Sequence, residues 1–377
     1  MINPARKRYC AHYTANYLPL TANWIYRSVI NHVSFDPVFL CRTKQNISHF
    51  PLDKLYSLQD LSAFKRVWQI FCLKTIGYIP FFKRMCNAYR VEIFHAHFGY
   101  QGAKSLGLTK KLNVPLICSF YGDDAFASMH EGKYAELFAG AEKILVLGLY
   151  MKARLIKLGC PPDKLVIHHL GIDVDEIKFV SRKSDINQPL RFLIASSFLE
   201  KKGIEIAIKA LGQLKEQFNF TLDIIGDGPL KAQLLEEIAT WQLESRVQLH
   251  GYKPYAEVIS MAHSCDVFIQ ASRTTKDNRK EGTPMAIVDM MATGMPVVST
   301  NHSDIPEIVK DGINGFLANE NDVESLRQCL EKVFTNRSAL ENLGMNARKW
   351  VEEEFSVKRQ TERLEKIYDQ AIEAHTR

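Results

Sequence analysis

The stretch from 281 to 316, EGTPMAIVDMMATGMPVVSTNHSDIPEIVKDGINGF, leaves this chain few choices of fold. Proline suits the first turn of a helix, where its missing N–H is not needed. Pro284 therefore opens a helix over Met285 to Ala292, and Gly294 stops it. Pro296 to Thr300 reads as a short buried strand, and Ser303 to Val309 as a second helix start with Pro306 in its first turn. Two helix N-termini follow one another, each preceded by small residues. Free N–H groups and the helix dipole make such ends anion sites. Glu281 and Asp289 are eight residues apart, roughly 12 Å along a helix at ~1.5 Å per residue. At that distance they share neither a proton nor a metal. They suit opposite ends of one elongated ligand with phosphates between them, the shape of a nucleotide-sugar.

Strand and helix patterns alternate through most of the chain, which predicts parallel α/β architecture. In the second half the strands are RFLIAS (191–196), TLDIIG (221–226), VQLHG (247–251), DVFIQAS (266–272) and PVVST (296–300), with amphipathic runs such as IEIAIKALGQLKEQ between them. In the first half VEIFHAHF, VPLICSFY, KILVLG and KLVIHHLG read as strands. SRKSDINQP (181–189) is polar, ends in proline and reads as an interdomain linker. The expected division is an N-terminal domain over 1–180, a C-terminal domain over 190–354 and a final helical segment over 355–377.

EGTPMAIVDMMATGMPVVST resembles the EGxPxxxxEAMAxGxPVVxT signature of retaining glycosyltransferases of family four, and HSDIPEIVKDGINGFLA continues that family's downstream pattern. The HS-x-IPE wording is similar to exopolysaccharide and colanic-acid-type bacterial enzymes. The resemblance implies the GT-B fold, two Rossmann-like parallel-sheet domains facing a cleft, with a C-terminal helix crossing back to the N-domain. It implies transfer of a hexosyl group from a nucleotide-diphosphate sugar to a lipid-linked or oligosaccharide acceptor. Attack on the same face as the leaving phosphate gives retention, with no cofactor and no metal. Glu281 would orient the hexose and Asp289 would contact the ribose, although the family carries Glu at the second position. Gly282, Thr283 and Pro284 would line the donor site. A non-catalytic nucleotide-sugar-binding or scaffolding protein is the alternative, kept open by three departures at Tyr121, Ser197 and Asp289.

The remaining motifs extend the resemblance. SSFLEKKG (196–203) is similar to the family's GRLxxxKG, whose Arg and Lys neutralise the donor diphosphate; Lys202 matches the Lys, while Ser197 stands where the Arg would be. Arg273, Lys276, Arg279 and Lys280 either supply that missing cation or form a solvated loop. Gly226 and Gly228, in IIGDGPL, and Tyr252, in HGYKP, fall where the family holds the nucleotide. Tyr121, in SFYGDD, replaces a common His near the donor hexose and keeps a hydroxyl to donate. Asp123 and Asp124 either hold sugar or acceptor hydroxyls or cap the next helix. His95 and His97 invite a metal, but with no third ligand nearby in sequence His97 reads as lining the cleft or as structural. YLPLTANWIYRSVINH reads as a turn into a helix with Thr21 as N-cap, either at the acceptor site or as scaffold.

FKRVWQIFCLKTIGYIPFFKRM (64–85) is aromatic, aliphatic and basic with no acid. It reads either as an amphipathic segment resting on an anionic membrane or as a packed helix pair with a solvated basic side. The 377 residues suit two domains, and 46% hydrophobic with 24% charged residues is ordinary for a globular protein. No apolar run is long enough to span a bilayer, and the N-terminus has no apolar signal core, so a cytoplasmic location is expected. The eight scattered cysteines contain no CxxC pair, which argues for reduced thiols. A net charge of +6 favours anionic partners mildly but carries no nucleic-acid motif.

Overall fold

A computed structural model describes residues 7–19, 22–126, 132–183 and 185–376, so Thr21 lies outside the described residues. The chain divides into two compact units, Met1–Gly171 with Val357–Arg377, and Ile172–Ser356.

The first unit opens with β1 (Arg8–Asn16), α1 (Asn23–Ile30), β2 (Phe35–Thr43), β3 (Leu55–Ser57), α2 (Ala63–Thr75) and α3 (Pro80–Tyr89). It continues with β4 (Ile93–His97), α4 (Gly99–Leu112), β5 (Leu116–Ser119), α5 (Asp123–Phe126), α6 (Ala135–Gly140), β6 (Lys143–Val146), α7 (Leu149–Lys157) and β7 (Leu165–Ile167). All seven strands are parallel, in the order β3-β2-β1-β4-β5-β6-β7. The order reverses between β1 and β4, the kind of crevice where doubly wound sheets take ligands. β1 and β2 were not evident in the sequence pattern. Their runs, RYCAHYTAN and FDPVFLCRT, carry polar residues that are nevertheless buried, His12 and Thr14 among them.

The second unit contains β8 (Leu190–Ala195), α8 (Ile204–Gly212), β9 (Phe220–Ile225), α9 (Lys231–Thr240), β10 (Val247–Gly251), α10 (Tyr255–Ala262) and β11 (Val267–Gln270). It ends with α11 (Met285–Ala292), β12 (Val297–Thr300), α12 (Ile305–Ile308), β13 (Gly315–Ala318), α13 (Val323–Thr335) and α14 (Leu340–Glu354). Its six parallel strands run β10-β9-β8-β11-β12-β13, reversing between β8 and β11. One apolar cluster packs α8, α9 and α13 on one face, centred on Phe192, Phe198 and Phe220. A second packs α11 and α14 on the other, centred on Phe268, Met291 and Phe355. Parallel strands covered on both faces become near-continuous apolar runs, as read from the sequence.

Finally α15 (Val357–Thr376) rejoins the first unit, where Leu364, Ile367, Tyr368 and Ala371 pack against Cys10, Phe35, Ile93 and Ile117. The passage into the second unit falls at Gly171/Ile172, ahead of the expected linker at 181–189. Residues 180 to 182 already belong to the second unit. Val180 N–H donates to Thr293 O, and buried Arg182 donates to His263 O and to the carbonyl and hydroxyl of Thr293.

The 64–85 segment forms two helices with opposite fates. α2 leaves Phe64, Val67, Trp68 and Phe71 exposed along one stripe. α3 begins at Pro80 and turns Phe81 and Phe82 into the core, with Phe82 edge-on to Tyr13. Those two rings are therefore not available as exposed apolar area. No helix among the described residues is long and apolar enough to cross a membrane.

Candidate active site

The second unit gathers two loops where its strand order reverses, 196–203 after β8 and 271–284 after β11. Glycine makes their approach possible. Gly203 has φ +60°, and a Cβ there would lie 1.9 Å from Ala271 O. Gly226 and Gly228, both at positive φ, seat the loop after β9 against Ser196 and Phe198; a Cβ on Gly226 would meet Ser196 O at 1.9 Å. Side chains would be strained at these angles as well as blocked. Arg273 then ties the loops, donating to Glu200 O at 3.0 Å and pairing with Glu205 at 2.7 Å.

Glu281 is buried at the end of the second loop, just before α11. Its Oε2 accepts from Lys202 Nζ at 3.0 Å, and its Oε1 faces Lys201 Nζ at 3.3 Å. Oε1 accepts no hydrogen bond among the described residues. Burial opposes ionisation here, but Lys202 and Lys201 outweigh it and hold the carboxyl below its ordinary range. Lys201 is thus a cation at this carboxylate that the sequence reading missed, although EKKG placed it beside Lys202. The loop cations considered for that role are otherwise engaged: Arg273 with Glu200 and Glu205, Arg279 with Asp277, and Lys280 with Thr274. Lys276 and Ser197 are exposed.

The backbone of Glu281 is also fixed. Its N–H donates to His302 Nε2 at 3.0 Å, while His302 Nδ1 lies 2.5 Å from Glu320, which accepts from Thr274 N. Burial keeps His302 below its ordinary pKa, so the neutral ring donates from Nδ1 to Glu320 and accepts at Nε2. HSDIPE contained this histidine, but nothing in its spacing pointed back to Glu281. Pro284 is the residue preceding α11, one place outside the helix rather than in its first turn, and Gly282 and Thr283 form the link to it. Half-buried Asp289, on α11, accepts from Tyr255 Oη at 2.9 Å. Tyr252 is strongly exposed just after β10.

The first unit places a second polar cluster at its own strand reversal. His12 on β1 stands in register with His95 on β4, and His97 follows on the same face. One ring nitrogen from each of His12, His95 and His97 lies within 4.8 Å of the others, as does one ligand atom from each of Cys10, His12 and His32. The third imidazole that His95 and His97 lack in sequence thus comes from the neighbouring strand. Each ring nitrogen of these four histidines already has a partner: His12 with His97 and His32, His97 with Tyr121, His95 with Tyr368 and Ser119, and His32 with Glu365. His97 is fully buried and lines no open surface. Asp124 is committed to backbone, accepting from Gly99, Tyr121 and Gly122 N–H groups at 2.9–3.0 Å. It therefore caps the start of α4 rather than holding a sugar. Asp123 is exposed at the start of α5.

Two doubly wound parallel sheets, one bearing a buried carboxylate between two lysines, define the GT-B class of glycosyltransferase folds. The chain belongs to the glycosyltransferases: residues 176–350 match Glycosyl transferases group 1, and residues 40–176 match Glycosyltransferase Family 4. It is 36% identical over 275 residues to the amylovoran biosynthesis glycosyltransferase AmsK of Erwinia amylovora, covering 71% of this chain and 67% of that one. It is 34% identical over 273 residues to the putative colanic acid biosynthesis glycosyltransferase WcaL of Salmonella typhimurium, covering 70% and 67%. Among solved structures, Anabaena HepE in complex with UDP superposes with a TM-score of 0.76 at 17% identity, covering 97% of this chain and 100% of HepE.

Proposed function

We propose that this chain moves a hexosyl group from a nucleotide-diphosphate sugar to an acceptor hydroxyl, with retention, in assembly of a bacterial exopolysaccharide. The observation that carries the reading is the buried Glu281 carboxylate held between Lys201 and Lys202. A carboxylate so placed accepts from hexose hydroxyls, and its Oε1 has that capacity to spare. The two ammonium groups face the charge that develops on a departing diphosphate, commonly the largest contribution such a site makes. Two lysines supply positive charge without a divalent ion, so transfer is metal-independent in this reading. Glu281, already paired with cations, orients the sugar and is not a covalent nucleophile. Asp289 takes the ribose, with Tyr255 beside it.

The relatives named for amylovoran and colanic acid biosynthesis support a polysaccharide product, and the UDP held by HepE supports a nucleotide donor. The exposed stripe on α2, with Lys65, Arg66 and Lys74 on the same helix, supports peripheral contact with an anionic membrane that carries a lipid-linked acceptor. The work would then be done at the cytoplasmic face.

A panel of UDP-, GDP- and dTDP-sugars tested by thermal shift, then by release of nucleotide diphosphate in EDTA, tests the reading. One sugar nucleotide should stabilise the protein and be consumed in chelator. Consumption only after magnesium or manganese is restored would overturn metal independence. Binding without consumption by any acceptor or water would favour a non-catalytic protein.

A further inference from the structure

The 274–281 loop of the second unit is closed at both ends by one pair of side chains. At its start Glu320 accepts from the N–H of Thr274 at 2.9 Å and from its hydroxyl at 3.0 Å. At its end His302 Nε2 accepts from the N–H of Glu281 at 3.0 Å. His302 Nδ1 lies 2.5 Å from Glu320 Oε2, so a single carboxylate–imidazole bond joins the two ends. Between them Lys280 Nζ donates to the Thr274 hydroxyl at 2.7 Å and Thr275 N–H to Arg279 O at 3.1 Å, which folds the loop on itself. Glu281 is thus held twice, at its carboxylate by Lys201 and Lys202 and at its main chain by His302.

The protons on the ring follow from its partners. A backbone N–H can only donate, so Nε2 offers a lone pair, and Nδ1 carries the one ring proton and gives it to ionised Glu320. Any further proton can attach only at Nε2, the atom that holds Glu281. It would set N–H against N–H at 3.0 Å. The side chain of His302 is fully enclosed while that of Glu320 is 31% exposed, so the carboxylate is the ring's contact with solvent. Burial resists a second proton and Glu320 favours it, with smaller pushes from Lys280 against and Glu281 in favour; the balance leaves the ring below its ordinary pKa.

We propose that His302, aimed by Glu320, is a positioning residue for hexose transfer: its Nε2 lone pair fixes the Glu281 main chain, and one proton on Nε2 releases it and switches transfer off while nucleotide diphosphate still binds. The carboxylate that orients the sugar then loses its register, and misplacement by about 1 Å can cost ~100-fold in rate. The phosphates face Lys201 and Lys202, whose charge the proton does not remove. The rate effect rests on the glycosyl-transfer reading; the wiring of His302 to Glu281 does not.

Proton–nitrogen spectra of the full chain, labelled with ¹⁵N in backbone and histidine rings, test the wiring without any sugar. At pH 8 His302 should carry its proton on Nδ1, and the Glu281 amide should shift as His302 titrates, below pH 6.5. A proton on Nε2 at pH 8, or a Glu281 amide that ignores the titration, overturns the proposal. With the sugar nucleotide that turns over in the panel above, wild-type kcat should fall across that same titration while affinity for its nucleotide diphosphate holds. His302→Ala should lower kcat about 100-fold at pH 8. His302→Gln, whose amide oxygen reaches the place of Nε2, should recover most of that loss and show no acid limb. Glu320→Gln, which removes the charge favouring the ring proton, should move the limb to lower pH. None of these variants touches the histidines of the first unit, so a limb caused by acid unfolding there would stay where it was. A His302→Ala enzyme at wild-type kcat, or an acid limb unchanged in His302→Gln, overturns the proposal. Should His302→Ala fail to fold, the wild-type titration and the Gln variants decide. If no sugar nucleotide is consumed, the rate effect falls with the transfer reading, while the tautomer and the amide shift still settle the wiring.

Discussion

Lys202 Nζ lies 3.0 Å from Oε2 of Glu281, a residue 79 positions later, and joins two loops at the reversal point of one parallel sheet. With Lys201 on the other oxygen, the carboxylate is engaged by a cation on each side. The charged hydrogen bond from Lys202 contributes about 1.5–3 kcal/mol, and Lys201 adds an ion pair to the other oxygen.

Lys201→Gln and Lys202→Gln should each weaken binding of a nucleotide diphosphate, by roughly 10-fold or more, and the double variant should lose most turnover. Isothermal titration with UDP or GDP measures it. If Lys201→Gln binds like wild type, the charge absent at Ser197 is not made good by Lys201.

Asp289→Ala should weaken free nucleotide and nucleotide-sugar alike, since ribose is common to both, by about 1.5–3 kcal/mol. Tyr255→Phe should have a smaller effect in the same direction, because it removes one hydrogen bond to Asp289 and leaves the carboxylate in place. Unchanged affinity in Asp289→Ala would take that residue out of the site.

Much of this was legible beforehand. Helix α11 runs from Met285 to Ala292 as the proline and glycine signals predict, and alternation of apolar runs gave the parallel sheets. Lys202 was recognisable because a linear motif contains it. The rest of the constellation depends on contacts across the sheet. His302 reaches Glu281 from the loop after β12, and His12 meets His97 from an adjacent strand 85 residues away. Sequence spacing cannot report such neighbours. Asp124 stayed open because an acid after a strand suits a cap and a hydroxyl ligand equally; its three amide donors make it a cap. The passage between units was misplaced because Arg182, a polar residue in a polar run, is buried against Thr293.

Acid should destabilise the first unit early. Burial, then neighbouring imidazoles, hold His12, His95 and His97 well below their ordinary pKa, and His168 at about 4. The unfolded chain therefore binds more protons than the native one below about pH 6.5. Stability contributed by the neutral rings is complete above that pH and is lost as pH falls towards the native values. The melting temperature should drop steadily from pH 6.5 to 4. His168→Asn should reduce that slope whatever it does to stability at pH 8. A flat profile in the wild type would contradict the buried neutral assignment.

Anionic vesicles should bind the protein at low salt and release it at high salt, since each basic residue near such a surface contributes about 1 kcal/mol. Phe64, Val67, Trp68 and Phe71 supply the apolar contact, and Phe81 and Phe82 do not. Replacing Lys65, Arg66 and Lys74 with Gln should abolish co-sedimentation while sparing hydrolysis of the nucleotide-sugar. Equal binding to neutral vesicles would return α2 to plain scaffold.

The most direct test of the central claim compares donor affinity with turnover in Glu281→Gln. The substitution keeps the shape and one acceptor oxygen but removes the charge set between Lys201 and Lys202. Nucleotide diphosphate should still bind, with affinity changed by no more than about threefold, while transfer of the hexose falls about 100-fold or further. A Glu281→Gln protein that transfers sugar at the wild-type rate would show that the reacting sugar lies elsewhere.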